Sequence, residues 1–374
     1  MNRLQNIFWL GIKELRSFQR DPVIVALLIF AFTFMVYTRA TGSSSEVHHA
    51  SIALVDEDRS TLSRQISQAF HLPYFQEPQL ISAQEIDPGM DQGQFMFVLN
   101  IPPRFEADVL ANRQPEIQVN IDATALLQAG IGASYIQNII SNEITRFRQG
   151  SGEGSRRAVE LVTRTAFNPN RTSSWFNSIL TIIDQITMLT IILTGAALIR
   201  EREHGTIEHL LVMPLTSFEI AIAKVWSNGL VILVATIASL LLVVEGVLSV
   251  PIVGSKMLFL LGTTLYLFFA TALGIFLGTI ARSMAQFALL IVLVIMTLNM
   301  LSGENTPVES QPDWLQNITL FLPSRHFVSF AQAIIYRGAG LDIVWSEFVA
   351  VTVLGLVFFI FSLGLFRRSI ALSK

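Results

Sequence analysis

Two scales of apolar patterning run along this chain. Six long apolar stretches stand out, at about 22–38, 178–199, 228–248, 257–280, 286–302 and 347–366. Each holds roughly 17–24 residues, which at 1.5 Å per residue spans the ~30 Å hydrocarbon layer of a bilayer. The pattern therefore predicts six transmembrane helices. The first stretch is slightly short, and Arg20 and Arg39 at its ends are long enough to snorkel to the two interfaces. No A-x-A cleavage pattern follows it, so it reads as a span and not as a signal peptide.

Shorter patterns fill the rest. Over Met1–Arg20, Leu4, Phe8, Ile12 (or Gly11), Leu15 and Phe18 recur every three to four residues, while Asn2, Gln5, Lys13, Arg16 and Gln19 lie largely elsewhere on the wheel. That is an amphipathic helix lying in the inner interface (1–21), ended by Asp21-Pro22. A plainer role for Lys13, Arg16 and Arg20 is to fix topology alone. Residues 41–175 change character: Ser51–Val55, Phe95–Ile101 and Ile117–Ile121 read as strands, and 60–70, 104–111 and 126–148 as helices. Gln149–Ser155 is a flexible break. Roughly 135 residues suffice for an independent core, so this segment is expected to be a small α/β domain outside the membrane, between the first span (22–40) and a second membrane part, 176–374. Within 303–346, the runs 319–322 and 327–336 are apolar but too short to cross, and prolines and Gly338 interrupt them. They fit either a re-entrant hairpin before the last span or a surface loop with amphipathic helices.

Composition agrees with a membrane protein: 52% hydrophobic and 14% charged residues, against roughly 25% charged in soluble domains. A net charge of −3 and no basic–aromatic pattern argue against nucleic acid. With no cysteines, disulfides and thiolate chemistry are excluded. Basic residues set the orientation. With the N-terminus inside, Arg3, Lys13, Arg16, Arg20, Arg200, Arg202, Lys224, Arg282, Arg367, Arg368 and Lys374 are cytoplasmic, and only Lys256, Arg325 and Arg337 lie in short outer segments. Both termini are then cytoplasmic.

The stretch REREHGTIEHLLVMPLT (Arg200–Thr216) follows the second span directly. A charge at the bilayer centre costs about 2.5–3.5 kcal/mol, so four in a row end the span near Ile199. Gly205 suits the stop. Thr206 can cap a short helix with Glu208 in its first turn and Ile207, Leu210 and Leu211 on one side, which Pro214 ends. Thr216 with Glu219 makes a capping-box pattern for the next helix. The segment is a cytoplasmic elbow, with a short helix at 206–213 exposed to whatever pushes it.

These motifs resemble a known family. KELRSFQRDP (Lys13–Pro22) and EREHGTIEHLLVMPL (Glu201–Leu215) look like the two signatures of ABC-2-type exporter permeases. VDEDRSTLS (Val55–Ser63) and 101–124 resemble that family's extracytoplasmic domain, and Leu322–Gly340 its re-entrant segment. The resemblance runs from end to end. It implies a polytopic α-helical permease of the bacterial inner membrane that dimerises, as homodimer or heterodimer, and docks on a cytosolic ATPase subunit. The expected contacts are Lys13, Glu14, Arg20, Arg200, Glu201, Glu203, Gly205, Thr206, Glu208, His209 and Pro214. It also implies export of a drug, a lipid or another small amphiphile, with membrane lipid around it and, in Gram-negative bacteria, a periplasmic adaptor and an outer-membrane channel.

No G-x-x-x-x-G-K-[ST] occurs, so no cofactor is expected on this chain, and ATP with Mg is expected on the partner. The pairs His48-His49 and His204/His209 do not form H-E-x-x-H, and no metal site is expected. Polar residues inside apolar runs mark either function or helix contact. Asp184, Gln185, Asn299 and Glu304 are read as translocation path or dimer interface, and Glu245 as an interfacial residue. Gly274 and Gly278 form a small-xxx-small pair that lets a neighbouring helix approach. Two other readings stay open: a proton-driven carrier with Asp184 as relay, and a non-transporting transmitter with an external sensor.

Overall fold

A computed structural model of the chain describes residues 3–42, 49–122, 126–150, 173–203, 216–304 and 307–372. It divides into two units, Met1–Gly42 with Ala166–Lys374, and Ser43–Thr165. The first unit is helical. Helix α1 (Arg3–Arg20) ends where the Asp21 carboxylate accepts the Val23 and Ile24 amides and so caps α2 (Pro22–Gly42), with Pro22 in its first turn.

Among the described residues, six helices are long and apolar enough to cross a membrane, as the pattern predicts. They are α2, Ser174–Glu203, Ser217–Val247, Lys256–Ile280, Met284–Leu301 and Leu341–Ser369. The second and fourth are 72% and 67% buried by the chain itself, against 17–33% for the others, so these two form the centre of the unit. The second belongs to Ser173–Glu203, here α7, because four helices of the other unit come before it in the chain.

Helix α8 (Ser217–Val247) starts at the expected cap and runs on into the apolar stretch at 228–248. The predicted capping box is present: the Thr216 hydroxyl accepts the Glu219 amide, and the Glu219 carboxylate accepts the Thr216 amide. The polar turn that follows is helical because its side chains find partners, among them Asn228, which donates to the Thr194 hydroxyl at 3.0 Å. Helices α2 and α8 each contain a π stretch, at Ala31–Met35 and Ser239–Val247. A π turn disturbs the regular carbonyl pairing, and the two stretches meet there: the Ser239 hydroxyl donates to the Phe32 carbonyl at 2.6 Å.

The small-residue pair predicted in α9 (Lys256–Ile280) packs on α7. A Cβ on Gly274 would lie 2.9 Å from the Ile191 carbonyl oxygen, and one on Gly278 3.1 Å from that of Gly195. Helix α10 (Met284–Leu301) covers α7 beside them, with Phe287 against Gly195.

Two short helices follow, α11 (Asp313–Thr319) and α12 (Pro323–Arg337), bent by 89° to each other. Side chains at the start of α12 hold the bend. Arg325 donates to the Gln316 carbonyl at 2.6 Å and the Thr319 hydroxyl at 2.7 Å, and His326 bonds the Leu320 carbonyl and, through Nδ1, Glu347. These cover carbonyls that a helix end leaves open. Phe327 stacks on Tyr266 of α9 at 4.1 Å, and Phe330 meets Phe348 of α13 (Leu341–Leu372) edge-on at 4.9 Å.

The second unit is an α/β fold. Strands β1 (Ile52–Asp56), β2 (Gln79–Leu80), β3 (Phe97–Ile101) and β4 (Gln118–Ile121) form one sheet in the order β2-β1-β3-β4. β1 runs parallel to β2 and β3, and β4 is antiparallel to β3. Helices α3 (Thr61–Gln68), α5 (Phe105–Leu110) and α6 (Leu126–Gly150) bury Leu62, Ile66, Phe105 and Ile136 with Leu54, Phe97 and Leu99. On the other face Ala53, Val55 and Val98 pack with Ile86 and Met90 of α4 (Ile86–Asp91). The sequence pattern predicts neither β2, too short and exposed to alternate, nor α4.

The close crossing of α7 and α9 leads to a direct expectation. Gly274→Leu or Gly278→Leu should destabilise the membrane unit by about 1–3 kcal/mol through overpacking, read as a lower Tm in detergent. Gly364→Ala, which meets nothing within 4 Å, should not lower it.

Candidate functional site

The last turn of α7 carries Arg200, Glu201, Arg202 and Glu203, and each charge reaches a different helix or helix junction. Arg200 pairs with Asp21 at 3.0 Å, at the joint between α1 and α2. Glu201 lies 3.2 Å from the Lys224 ammonium of α8. Arg202 donates to the Gly278, Thr279 and Ala281 carbonyls at 3.0–3.2 Å, where α9 ends. Glu203 accepts the Met284 amide at 3.2 Å, where α10 begins. A cation on a helix C-terminus and an anion on an N-terminus both suit the helix dipole.

Lys224 is the buried centre of this region, with 1% of its surface exposed. Its ammonium sits 3.3 Å from Glu14 of α1 as well as beside Glu201, and Lys13 approaches Glu201 at 3.5 Å. Burial alone would push the Glu14 carboxyl up, but the ammonium groups of Lys224 and Lys13 outweigh it and hold the carboxyl below the usual range. The Asp21 carboxyl is lowered too, chiefly by the Ile24 amide and then by Arg200.

Helix α1 docks on α8 through part of its apolar stripe, since Phe8 stacks on Trp226 with ring centroids 6.0 Å apart, and through hydrogen-bonding residues beside it. Gly11 lies against the Trp226 ring, the Trp226 indole donates to the Ile7 carbonyl at 3.2 Å, and Asn6 donates to Glu219 at 3.1 Å. Leu4 and Phe8 of the stripe remain 80% and 53% exposed. The inward face thus combines smallness, ring stacking and hydrogen bonding, and part of the stripe is left for hydrocarbon.

Of the residues expected to meet an ATPase, Lys13, Glu14, Arg200, Glu201 and Glu203 lie in or beside this network, and Arg20 is exposed on α1. Gly205, Thr206, Glu208, His209 and Pro214 lie outside the described residues. Sequence reasoning misses Asp21, Lys224, Asn6 and Trp226 as partners. The signal for Lys224 is its place in the apolar run IAIAKVW, where a charge needs a counter-charge.

A second cluster joins three segments. Arg39, near the end of α2, is 3.2 Å from Asp184 of α7 and 3.7 Å from Glu304, just after α10. The expected reach of Arg39 to an interface is therefore half of its placement: its guanidinium is part exposed and also turned onto two buried carboxyls. Burial and the neighbouring Asp184 push the Glu304 carboxyl up to about 9. Gln185 is buried beside Asp184 in the chain, and Asn299 is half-buried. Along α7, Asp184 lies about 24 Å from Arg200 at 1.5 Å per residue. Glu245, expected to face solvent, pairs with Lys256 at 2.6 Å.

Two expectations follow. Lys224→Met leaves Glu14 and Glu201 facing each other, and breaking such a buried pair costs about 3–5 kcal/mol. It should lower Tm strongly, and adding Glu14→Gln with Glu201→Gln should recover most of the loss. For Glu304, the folded chain holds a proton that the unfolded chain releases above the ordinary 4.5. Stability contributed by that proton is full below 4.5 and is lost as pH rises towards 9. A falling Tm across that window, flattened by Glu304→Gln, is the expected result.

Residues 22–363 match the family described as ABC-2 family transporter protein. The inner membrane transport permease YhhJ of Escherichia coli (strain K12) is 53% identical over 370 residues, 99% of each chain. The probable multidrug ABC transporter permease YbhR of the same organism is 30% identical over 363 residues, 96% of this chain and 97% of the relative. A further one, YbhS, is 27% identical over 343 residues, 88% of each. Six apolar helices among the described residues, five of them meeting at a charged turn, together with a match of this extent, place the chain: it belongs to the ABC-2 family of transporter permeases.

Proposed function

We propose that this permease is the membrane-spanning subunit of an ATP-driven exporter. It works as a homodimer or heterodimer, and a separate cytosolic ATPase grips it at 204–215 and along α1. The observation that carries this reading is the turn at 200–203, whose four charges bind the ends or bodies of α1, α2, α8, α9 and α10 just before that segment. Hydrogen bonds to charged groups contribute about 1.5–3 kcal/mol each, so a push on 204–215 moves those helices together rather than one at a time. ATP and Mg belong to the partner. The partner drives the change only by binding two states of the permease with different strength.

The remaining assignments follow from that orientation. The 200–203 turn and both termini face the cytosol, the Ser43–Thr165 unit faces outward, and the membrane is the bacterial inner membrane, as in the name of the YhhJ relative. The bent pair α11–α12 is a re-entrant element on the outer side. An adaptor and an outer-membrane channel are the partners suited to the outward unit. Asp184, Gln185, Asn299 and Glu304 belong to the outer half of the path or to the subunit contact. The cargo is a small amphiphile, drug or lipid, in keeping with the multidrug names of YbhR and YbhS.

A proton-driven carrier is the second reading, favoured by the two buried carboxyls at Arg39. One experiment separates them. The tagged full-length chain, purified from its own membrane in mild detergent, should carry an ATP-hydrolysing subunit with it. In cells, Glu201→Gln with Glu203→Gln should reduce efflux of Hoechst 33342 at least five-fold at unchanged membrane levels. Efflux that continues in ATP-free vesicles under a proton gradient would favour the carrier instead.

A further inference from the structure

His326, near the start of α12, has both ring nitrogens engaged. Nε2 faces the Leu320 carbonyl oxygen at 2.8 Å, just past α11, and Nδ1 faces the Glu347 carboxyl of α13. A carbonyl oxygen only accepts, so Nε2 carries a hydrogen. An ionised carboxylate only accepts as well. The Nδ1 contact is therefore a hydrogen bond in two forms alone: an imidazolium donating to a carboxylate, or a neutral ring accepting from a protonated carboxyl. Both forms hold two protons between the two side chains. With one proton fewer, the Nδ1 lone pair faces a carboxylate and the contact turns repulsive.

The neighbours of this contact keep their charge over the pH range in which an imidazole titrates. Arg325 donates to the Gln316 carbonyl and the Thr319 hydroxyl, and its guanidinium stays charged. The Ser329 hydroxyl donates to the other Glu347 oxygen at 3.4 Å. From α9, Phe259 and Tyr266 present only rings, stacked on Phe327. The charged groups that act on His326 are Glu347 from α13 and Arg325 beside it. The next charges, Asp313 on α11, Arg337 on α12 and Asp342 on α13, lie about 7 Å or more along their helices from this contact. Burial and Arg325 oppose a charged ring, but Glu347 and the Leu320 carbonyl outweigh them and hold the imidazole above its usual range. Water reaches the pair, whose side chains are 13% and 30% exposed.

We infer that His326 and Glu347 form a proton site that latches the α11–α12 bend to α13, closed while the pair holds two protons and released when it loses one. Below the ordinary imidazole value of about 6.5 the latch is fully closed. It is lost as pH rises through the higher value that Glu347 sets. Arg325 keeps its hold on Gln316 and Thr319 throughout, so release lets α11 pivot about that tether. The site needs neither cargo nor ATPase and does not rest on the exporter reading. In the orientation proposed above it meets the outer medium.

The chain holds no cysteine, so spin labels at Asn317→Cys and Ser346→Cys, both exposed positions, report the distance from α11 to α13 in the purified full-length chain. Double electron–electron resonance at pH 5.5 should give one narrow distance, whose share falls at least two-fold at pH 8.5. Glu347→Gln should keep the narrow distance at both pH values, because the amide N–H donates to the neutral ring and the amide oxygen still accepts from Ser329. His326→Leu should give the broad distribution at both. The pH response should persist in Glu304→Gln, which removes the other carboxyl that titrates in an overlapping window. An unaltered chain with the same distribution at both pH values overturns the inference. So does a pH response that survives Glu347→Gln, or one that Glu304→Gln abolishes.

Discussion

An ammonium group shut away from water sets the terms for the charged end of the membrane unit. Lys224 is stable only because Glu14 and Glu201 come to it from α1 and α7. Each acid in turn is tolerable only near that lysine. Buried ion pairs add little net stability but penalise any arrangement that separates them. The three helices therefore have few ways to come together, and the register of α1 on α8 is among the things selected. Gly11 against Trp226 supplies the close approach that makes this geometry reachable.

The same economy recurs in the apolar middle of the unit. Between membrane helices there is no bulk hydrophobic drive, so packing and hydrogen bonds decide who meets whom. Gly195, Gly274 and Gly278 bring α7 and α9 to backbone contact, and Thr187 and Tyr266 join the same helices through hydroxyls 3.0 Å apart. The π stretches of α2 and α8 serve as a third fastening, with Ser239 taking a carbonyl that regular pairing would have occupied. Each contact is specific in position, which makes these helices poor at sliding past one another.

How much of this is legible in the sequence depends on the length scale of the cause. The six spans are legible because about twenty apolar residues in a row have one main use. The cap at Thr216 and Glu219 is legible because donor and acceptor are three residues apart. Partners far apart in the chain are not. Nothing local tells Arg202 to find carbonyls near 280, or Glu203 to find the Met284 amide, and the sequence alone says only that these charges leave the membrane. The apolar stripe of α1 gives only part of the contact: Phe8 and Gly11 from it meet Trp226, while Asn6 and Glu14 outside it supply the hydrogen bond and the ion pair, and Leu4 still faces out. In the α/β unit the long strands carry their pattern, whereas two-residue β2 holds its place by pairing with Ala53 and Leu54.

Asp21 has two employers. One of its oxygens terminates the first turn of α2, and the other holds Arg200 at the foot of α7. Any motion that draws Arg200 away tugs on the same carboxylate that keeps the leading amides of α2 satisfied. The start of the first span is thereby tied to a charge nearly 180 residues downstream. A neutral asparagine there would keep an acceptor for the leading amides but lose the ion pair with Arg200, so only the acidic form serves both ends at once.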